Sequence, residues 1–261
     1  MHFNAPAFAA QTQDYARYTT DDQWVWRTLF ERQLQLLPAV ASRRFLDGLP
    51  RVKFQAGRIP AFAATNPLLD RATGWSLVAV PGIVDDRTFF ALLAARRFPA
   101  TTWLRTPAQL NYLEEPDMFH DVFAHVPLLT DPFFAEFLQA LGTLALRHLD
   151  DPDAVELLSR LYWFTVEFGL ITEDGALRIY GAGILSSAGE TRFCLGEGPA
   201  RRPFDVAHIL ATPYAKDRMQ DVYFVIDSYE QLVAAVPALE AELLRRLAAP
   251  SAEGAPTHAE Q

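Results

Sequence analysis

Hydrophobic positions along the chain follow two spacings, one helical and one extended. Trp26, Leu29, Phe30, Leu34 and Leu37 recur at three- and four-residue intervals, the pattern of one helix face. Thr20 offers a cap and Asp21 and Asp22 suit a first turn, so this helix is predicted to open there. Pro38 ends or kinks it. A second helix is expected from about Val40, stopping at Gly48, and a third from Pro60 to near Gly74. Residues 75–80 then read as a short strand closed by Pro81 and Gly82. Asp85 or Asp86 opens the next helix, with Phe89, Leu92 and Leu93 inward, and a strand is expected over 101–104.

Two Asp-Pro pairs, at 131–132 and 151–152, each supply an N-cap followed by proline at the first helical position. The helices they open are predicted to run to about His148 and Ile171. From Gly175 the texture changes: residues 178–180, 184–187 and 191–194 look like short strands around a turn at Gly181 and Gly183. Residues 222–226 form another strand, ahead of a helix capped by Ser228 with Gln231 at the capping-box position. The expectation is one mainly α domain with a small β element over 18–247. An N-terminal extension (1–17) precedes it, and a tail over 248–261 without periodicity is expected to be disordered.

Composition narrows the function classes. The 261 residues are 50% hydrophobic and 21% charged, as in an ordinary globular chain. A net charge of −9 argues against nucleic acid or an anionic membrane as partner. No apolar run approaches the roughly 18 residues that cross a bilayer. The one cysteine, Cys194, excludes an internal disulfide and Cys-rich zinc or iron–sulfur frameworks, and a lone thiol suits a reducing compartment. The opening MHFNAPAFAAQ lacks a cationic n-region, so a cytoplasmic protein is expected. Lys53 and Lys216 are the only lysines, which makes either one inside the fold unusual.

The segment 114–127 carries the densest chemistry. His120 and His125 lie five apart, not the four of a His-Glu-x-x-His helix. Five residues turn a regular helix by about 140° from the start, so two ligands at this spacing need an irregularity. Pro127 offers one by disfavouring a helical Val126. Glu167 has Trp163, Phe164, Leu170 and Ile171 as its helical neighbours, which puts a carboxylate in an apolar face. Such a group needs an arginine, a hydrogen-bond network or a metal. Two histidines and one carboxylate make the facial triad of non-haem Fe(II), and the same set could hold a catalytic zinc. Asp121 adjoins His120 but is not placed as a zinc protease general base.

Four segments in order carry a family resemblance: EPDMFHD with HVPLL over 115–129, YWFTVEFGL over 162–170, YGAGILSSAGE over 180–190 and YFVIDS over 223–228. Together they resemble the pterin-dependent aromatic amino acid hydroxylases, in the bacterial single-domain branch, from about Tyr18 to Tyr229. By that resemblance His120, His125 and Glu167 are the iron ligands. The activity it implies splits O2 between the ring of an aromatic amino acid, L-phenylalanine first, and a tetrahydropterin. Arg105 matches the arginine that holds the substrate carboxylate, and Ser186 and Ser187 match the serine pair beside it. Pro116, Trp163 and Phe168 match the substrate-ring pocket. For the pterin, Phe89 matches the stacking aromatic, Gly82, Val84 and Asp86 lie in the matching loop, Asp121 matches an acid reached through water, and Tyr162 a tyrosine near pterin and iron. The partners implied are an amino acid and a pterin, with the chain a monomer.

Three positions depart from the family pattern: Ala124 where glycine is usual, Met219 for a phenylalanine, and Lys216 for an apolar branched residue near the substrate pocket. They leave open the same chemistry on tryptophan, on a substituted phenylalanine or at the meta position. A zinc hydrolase on the same triad and a silent amino-acid-binding module are the readings from other classes. For Lys216 two placements compete: an ammonium that reaches solvent or Asp217, or one that points inward to a polar group of another substrate.

Overall fold

The computed structural model describes residues 11–111 and 113–248. Most of the expected disordered tail, and residues 1–10 of the expected extension, lie outside those. The described part of the extension is tied to the domain: Gln13 donates to the Pro60 carbonyl and accepts from the Phe62 N–H, and the Tyr15 hydroxyl donates to the Ile59 carbonyl.

Helix α1 (Thr20–Leu36) is capped by Thr19, one residue earlier than expected, in a reciprocal box with Asp22. Its inward face, Val25, Trp26, Leu29 and Phe30, is fully or almost fully buried. Helix α2 (Arg43–Arg51) is capped by Ser42 and runs through Gly48 instead of stopping there. Gly48 is not a C-cap; its bare Cα faces the backbone of Pro127, where an added Cβ would lie 2.2 Å from the carbonyl oxygen. Helix α3 (Phe62–Thr73) ends at left-handed Gly74, as the glycine predicts. Strand β1 (Ser76–Val80), helix α4 (Asp86–Ala94, capped by Asp85) and strand β2 (Arg97–Thr101) form a parallel crossover. The strand expected at 101–104 thus lies earlier in the chain, because pairing Ser76 with Arg97 and Val80 with Thr101 fixes its span.

Helices α5 (Pro132–Ala145) and α6 (Pro152–Tyr162) are capped by Asp131 and Asp151 as their Asp-Pro pairs predict. Helix α6 does not reach Ile171: it widens into a π-helical turn, Trp163–Glu167, and the chain continues as strand β3 (Leu170–Glu173). Strand pairing overrides the helical spacing there, since β3 joins β4 (Ala176–Ile179) antiparallel and a later strand in parallel. Residues 184–187 and 191–194 are also not strands. They belong to helix α7 (Ala182–Leu185), helix α8 (Ala188–Phe193) and the turns that follow, with Ser187 capping α8 by accepting from the Glu190 N–H. Strand β5 (Ala200–Pro203), helix α9 (Val206–Ala211), strand β6 (Val222–Ile226) and helices α10 (Tyr229–Ala234) and α11 (Val236–Leu247) complete the chain. The second sheet has the order β4-β3-β6-β5. The result is a mainly α fold with a small β element, and no described helix is long and apolar enough to cross a membrane.

One aromatic cluster fixes the part of the core that carries the histidines. Phe119 and Phe123 stack at 4.6 Å, with Trp26 on Phe119 and both Phe30 and Phe45 on Phe123. Helices α1 and α2 therefore clamp the segment from behind. Gly48 is the closest backbone approach in that clamp. Gly48→Ala forces α2 away from Pro127, two residues after His125, and should destabilise the fold by about 1–3 kcal/mol, the range for overpacking. The midpoint and free energy of urea unfolding measure it, and an unchanged midpoint would show that α2 and Pro127 separate freely.

Candidate metal centre and surrounding pocket

Phe119–His125 is π-helical. That wider turn brings positions five apart to one side, which a regular helix does not do. The irregularity lies within the turn and not after it: Val126 stays right-handed helical (φ −64°, ψ −37°), and Pro127 sits in the first turn of the 3-10 segment Val126–Thr130. A proline there removes no needed hydrogen bond. Ala124 is fully buried in the same turn. Glu167 ends the second π-helical turn, where Gly181 lies against its carbonyl; an added Cβ on Gly181 would sit 2.4 Å from that oxygen.

Three side-chain atoms meet between these turns. His120 Nε2 and His125 Nε2 are 3.2 Å apart, and Glu167 oxygens lie 3.4 and 3.2 Å from them. The Ser186 hydroxyl donates to the Ala182 carbonyl at 2.9 Å, so at 3.0 Å it accepts from the His120 Nδ1–H. That contact sets the His120 tautomer and leaves its Nε2 lone pair facing the other two donors. Burial pushes the His120 imidazolium down, favouring the neutral ring a metal requires. Burial pushes the Glu167 carboxyl up, but His125, His120 and a Tyr162 hydrogen bond outweigh it and hold the group at about 2. Two neutral nitrogens and one anionic oxygen, converging with no other cation among them, fit a divalent ion.

Arg105 is not a solvated surface arginine. It is 8% exposed, and its Nε and Nη2 grip both oxygens of fully buried Asp117 at 2.9 and 2.8 Å. Asp117 also accepts from the backbone N–H of Arg105 and of His120. This acid lies inside the EPDMFHD segment, yet nothing in the sequence marked it as the partner of an arginine twelve residues earlier. Half-buried Pro116 precedes it. Trp163 packs on Phe168 at 4.6 Å and stacks on Tyr214 at 4.7 Å, and its indole N–H donates to Gln220. Ser187 is engaged as the cap of α8, so Ser186 alone of the pair touches a histidine.

On the other side of the triad, Tyr162 meets Phe89 edge to face at 5.1 Å. Burial pushes the Tyr162 hydroxyl well up, so it stays protonated beside Glu167. Asp121 accepts from the Thr101 N–H and hydroxyl at 2.7 and 2.8 Å, and burial pushes its carboxyl up against those contacts. Gly82 and Val84 are half-buried in the loop before α4, and Asp86 is exposed in its first turn. Lys216 is exposed, its Nζ 5.8 Å from the Tyr214 ring centroid, so the ammonium meets an aromatic face and solvent instead of Asp217 or the pocket interior.

Comparison with known proteins was made on this geometry. The model of a family described as biopterin-dependent aromatic amino acid hydroxylase matches residues 8–249. The phenylalanine-4-hydroxylase of Chromobacterium violaceum is 49% identical over 237 residues, covering 90% of this chain and 80% of the relative. That of Ralstonia nicotianae is 52% identical over 221 residues, covering 84% and 70%. A structure of the Chromobacterium violaceum enzyme with bound iron(III) and 7,8-dihydrobiopterin aligns with a TM-score of 0.86 at 49% identity, covering 92% of this chain and 86% of that one. Another, bound to iron and phenylalanine, aligns with the same score at 46% identity, covering 92% and 88%.

Glu167→Ala removes the one anionic donor of the triad and with it the cost of burying that charge. The variant is expected to lose metal on purification and dialysis, by elemental analysis, while its far-UV circular dichroism stays near that of the parent. Full metal occupancy in the variant would reject Glu167 as a ligand.

Proposed function

The chain belongs to the biopterin-dependent aromatic amino acid hydroxylase family, and on that premise we propose that it is an iron(II)- and tetrahydropterin-dependent monooxygenase converting L-phenylalanine to L-tyrosine. The observation that carries the proposal is the convergence of ligand atoms from His120, His125 and Glu167 within 4.8 Å of one another. With iron held there and tetrahydropterin beside it, the pair supplies the splitting of O2, one oxygen going to the ring and the other to the pterin.

The protein's own part is positioning and protection. Arg105 presents its remaining guanidinium N–H groups to the substrate carboxylate, and Asp117 prevents that fork from rotating. Pro116, Trp163 and Phe168 form the apolar wall for the ring, with Ser186 and Ser187 at the carboxylate end. Phe89 offers the pterin an aromatic face, the Gly82–Val84–Asp86 loop its polar edge, and Asp121 a water-bridged contact. Tyr162 stands beside Glu167 and helps to keep that carboxyl ionised. A zinc hydrolase would need a general base beside the ligands, and the Asp121 carboxylate is already engaged by Thr101. The acidic charge and the lone, buried Cys194 support a cytoplasmic monomer whose ligands are the amino acid and the pterin.

The direct test supplies iron-loaded protein with tetrahydropterin, O2 and mixed aromatic amino acids, and identifies products by mass spectrometry. Phenylalanine is expected to gain one oxygen and to co-elute with L-tyrosine. A meta-hydroxylated product, or turnover of tryptophan alone, would replace the substrate assignment, and no product from any amino acid would reject the activity.

Lys216 allows a separate check. Its ammonium is in solvent and only its stem and the Tyr214 contact adjoin the ring wall. Lys216→Ile should therefore change kcat/KM on phenylalanine by less than about tenfold, roughly 1.4 kcal/mol. A much larger gain on phenylalanine, with loss of turnover on another aromatic amino acid, would mean that the lysine reaches inward.

A further inference from the structure

We propose that Gln220 is a positioning residue for the substrate ring: it locks the plane of the Trp163 indole and the loop that backs it. The inference rests on the reading of Trp163 as part of the ring wall. Gln220 is 5% exposed and lies in the segment between α9 and β6, far in sequence from every candidate ligand. Its Oε1 accepts from the Trp163 indole N–H at 2.9 Å. Its Nε2 donates to the carbonyls of Ala215 and Arg218 at 2.9 and 3.1 Å. The amide cannot be reversed: an indole nitrogen only donates and the two carbonyls only accept.

Both ends of this bridge matter. Trp163 is half-buried, so packing alone leaves the indole freedom to tilt, and the bond to Gln220 removes it. The same amide folds the 212–220 loop back so that Tyr214 stacks on Trp163 at 4.7 Å and 29°. Gln220 is almost fully buried, so its amide has no bulk water to exchange for these partners.

A double-mutant cycle on the iron-loaded full chain tests this, with KM for phenylalanine, kcat, KM for tetrahydropterin and tyrosine formed per pterin oxidised as readouts. Gln220→Met is expected to raise KM for phenylalanine about tenfold and lower tyrosine per pterin, with KM for the pterin unchanged. Trp163→Phe lacks the N–H and also alters the wall, so its effect on KM should be about fivefold smaller in the Gln220→Met background than in the parent. Additive effects, or a parallel loss in every parameter together with a lower unfolding midpoint, would overturn the proposal. Should Gln220→Met not fold, Gln220→Glu decides. It keeps an oxygen opposite the indole but loses both donors to Ala215 and Arg218, so a rise of about fivefold in KM for phenylalanine with KM for the pterin unchanged supports the role, and a KM equal to the parent's overturns it. Failure of the parent protein to hydroxylate phenylalanine rejects the activity itself, whereas an active parent with an additive cycle rejects only the role of Gln220.

Discussion

A carboxylate pressed against two imidazoles away from bulk water is the constraint around which this molecule is arranged. An unpaired buried carboxylate costs several kcal/mol, but the two imidazoles and Tyr162 face Glu167 and hold its carboxyl below the usual range. A divalent cation would suit the same set, since it attracts the anion and uses the nitrogen lone pairs at once. The backbone must then bring ligand atoms of three side chains, from two distant segments, to within 4.8 Å of one another. Both segments do so by the same departure from α geometry, a π-helical turn. A π turn has weaker local hydrogen bonding than an α turn, so each one needs support from packing. The aromatic cluster around Phe119 and Phe123 supplies it for the histidines, and the close approach of Gly181 supplies it for Glu167.

The buried Arg105–Asp117 pair follows from the same constraint. An ion pair at this depth gains little net stability, because desolvating both charges offsets most of their attraction. Its value is geometric. Asp117 accepts from Arg105 three ways and from the backbone of His120, so the guanidinium and the histidine share one rigid acceptor. Removing either charge would leave the other buried and alone, a loss on the order of 3–5 kcal/mol in comparable pairs. The Arg105 side chain is thus held in register with His120 through a single carboxylate.

These relations explain what could be read from the sequence. Helices announced by caps were legible: Asp131, Asp151, Asp85 and Ser228 each cap the element their position predicts. The triad was legible because a carboxylate between Trp163 and Leu170 violates local patterning, and such violations mark functional sites. What failed were features decided at long range. Leu170 and Ile171 pair with Val225 and Ile226 of β6, fifty-five positions later, and spacing around Glu167 gave no sign of it. Residues 184–187 carry a strand-like composition, but the Ser187 cap and the packing of Ile184 and Leu185 make that region helical. The π turns themselves leave no periodic trace over five to seven residues. Gln220 is an ordinary polar residue until the fold brings an indole to it.

Lys216 shows how a residue that breaks a pattern can leave a site intact. A lysine pointed into an apolar wall would lose hydration with nothing to replace it, and would disfavour a plain phenyl ring. The loop that carries it is fixed at Ala215 and Arg218 by Gln220, which leaves the Lys216 side chain on the outer side. There the ammonium lies over Tyr214, whose ring in turn stacks on Trp163. The charge is therefore separated from the ring wall by one aromatic layer, and the quadrupole of Tyr214 satisfies part of it. An otherwise unusual lysine can therefore sit beside Trp163 without placing its charge against that ring.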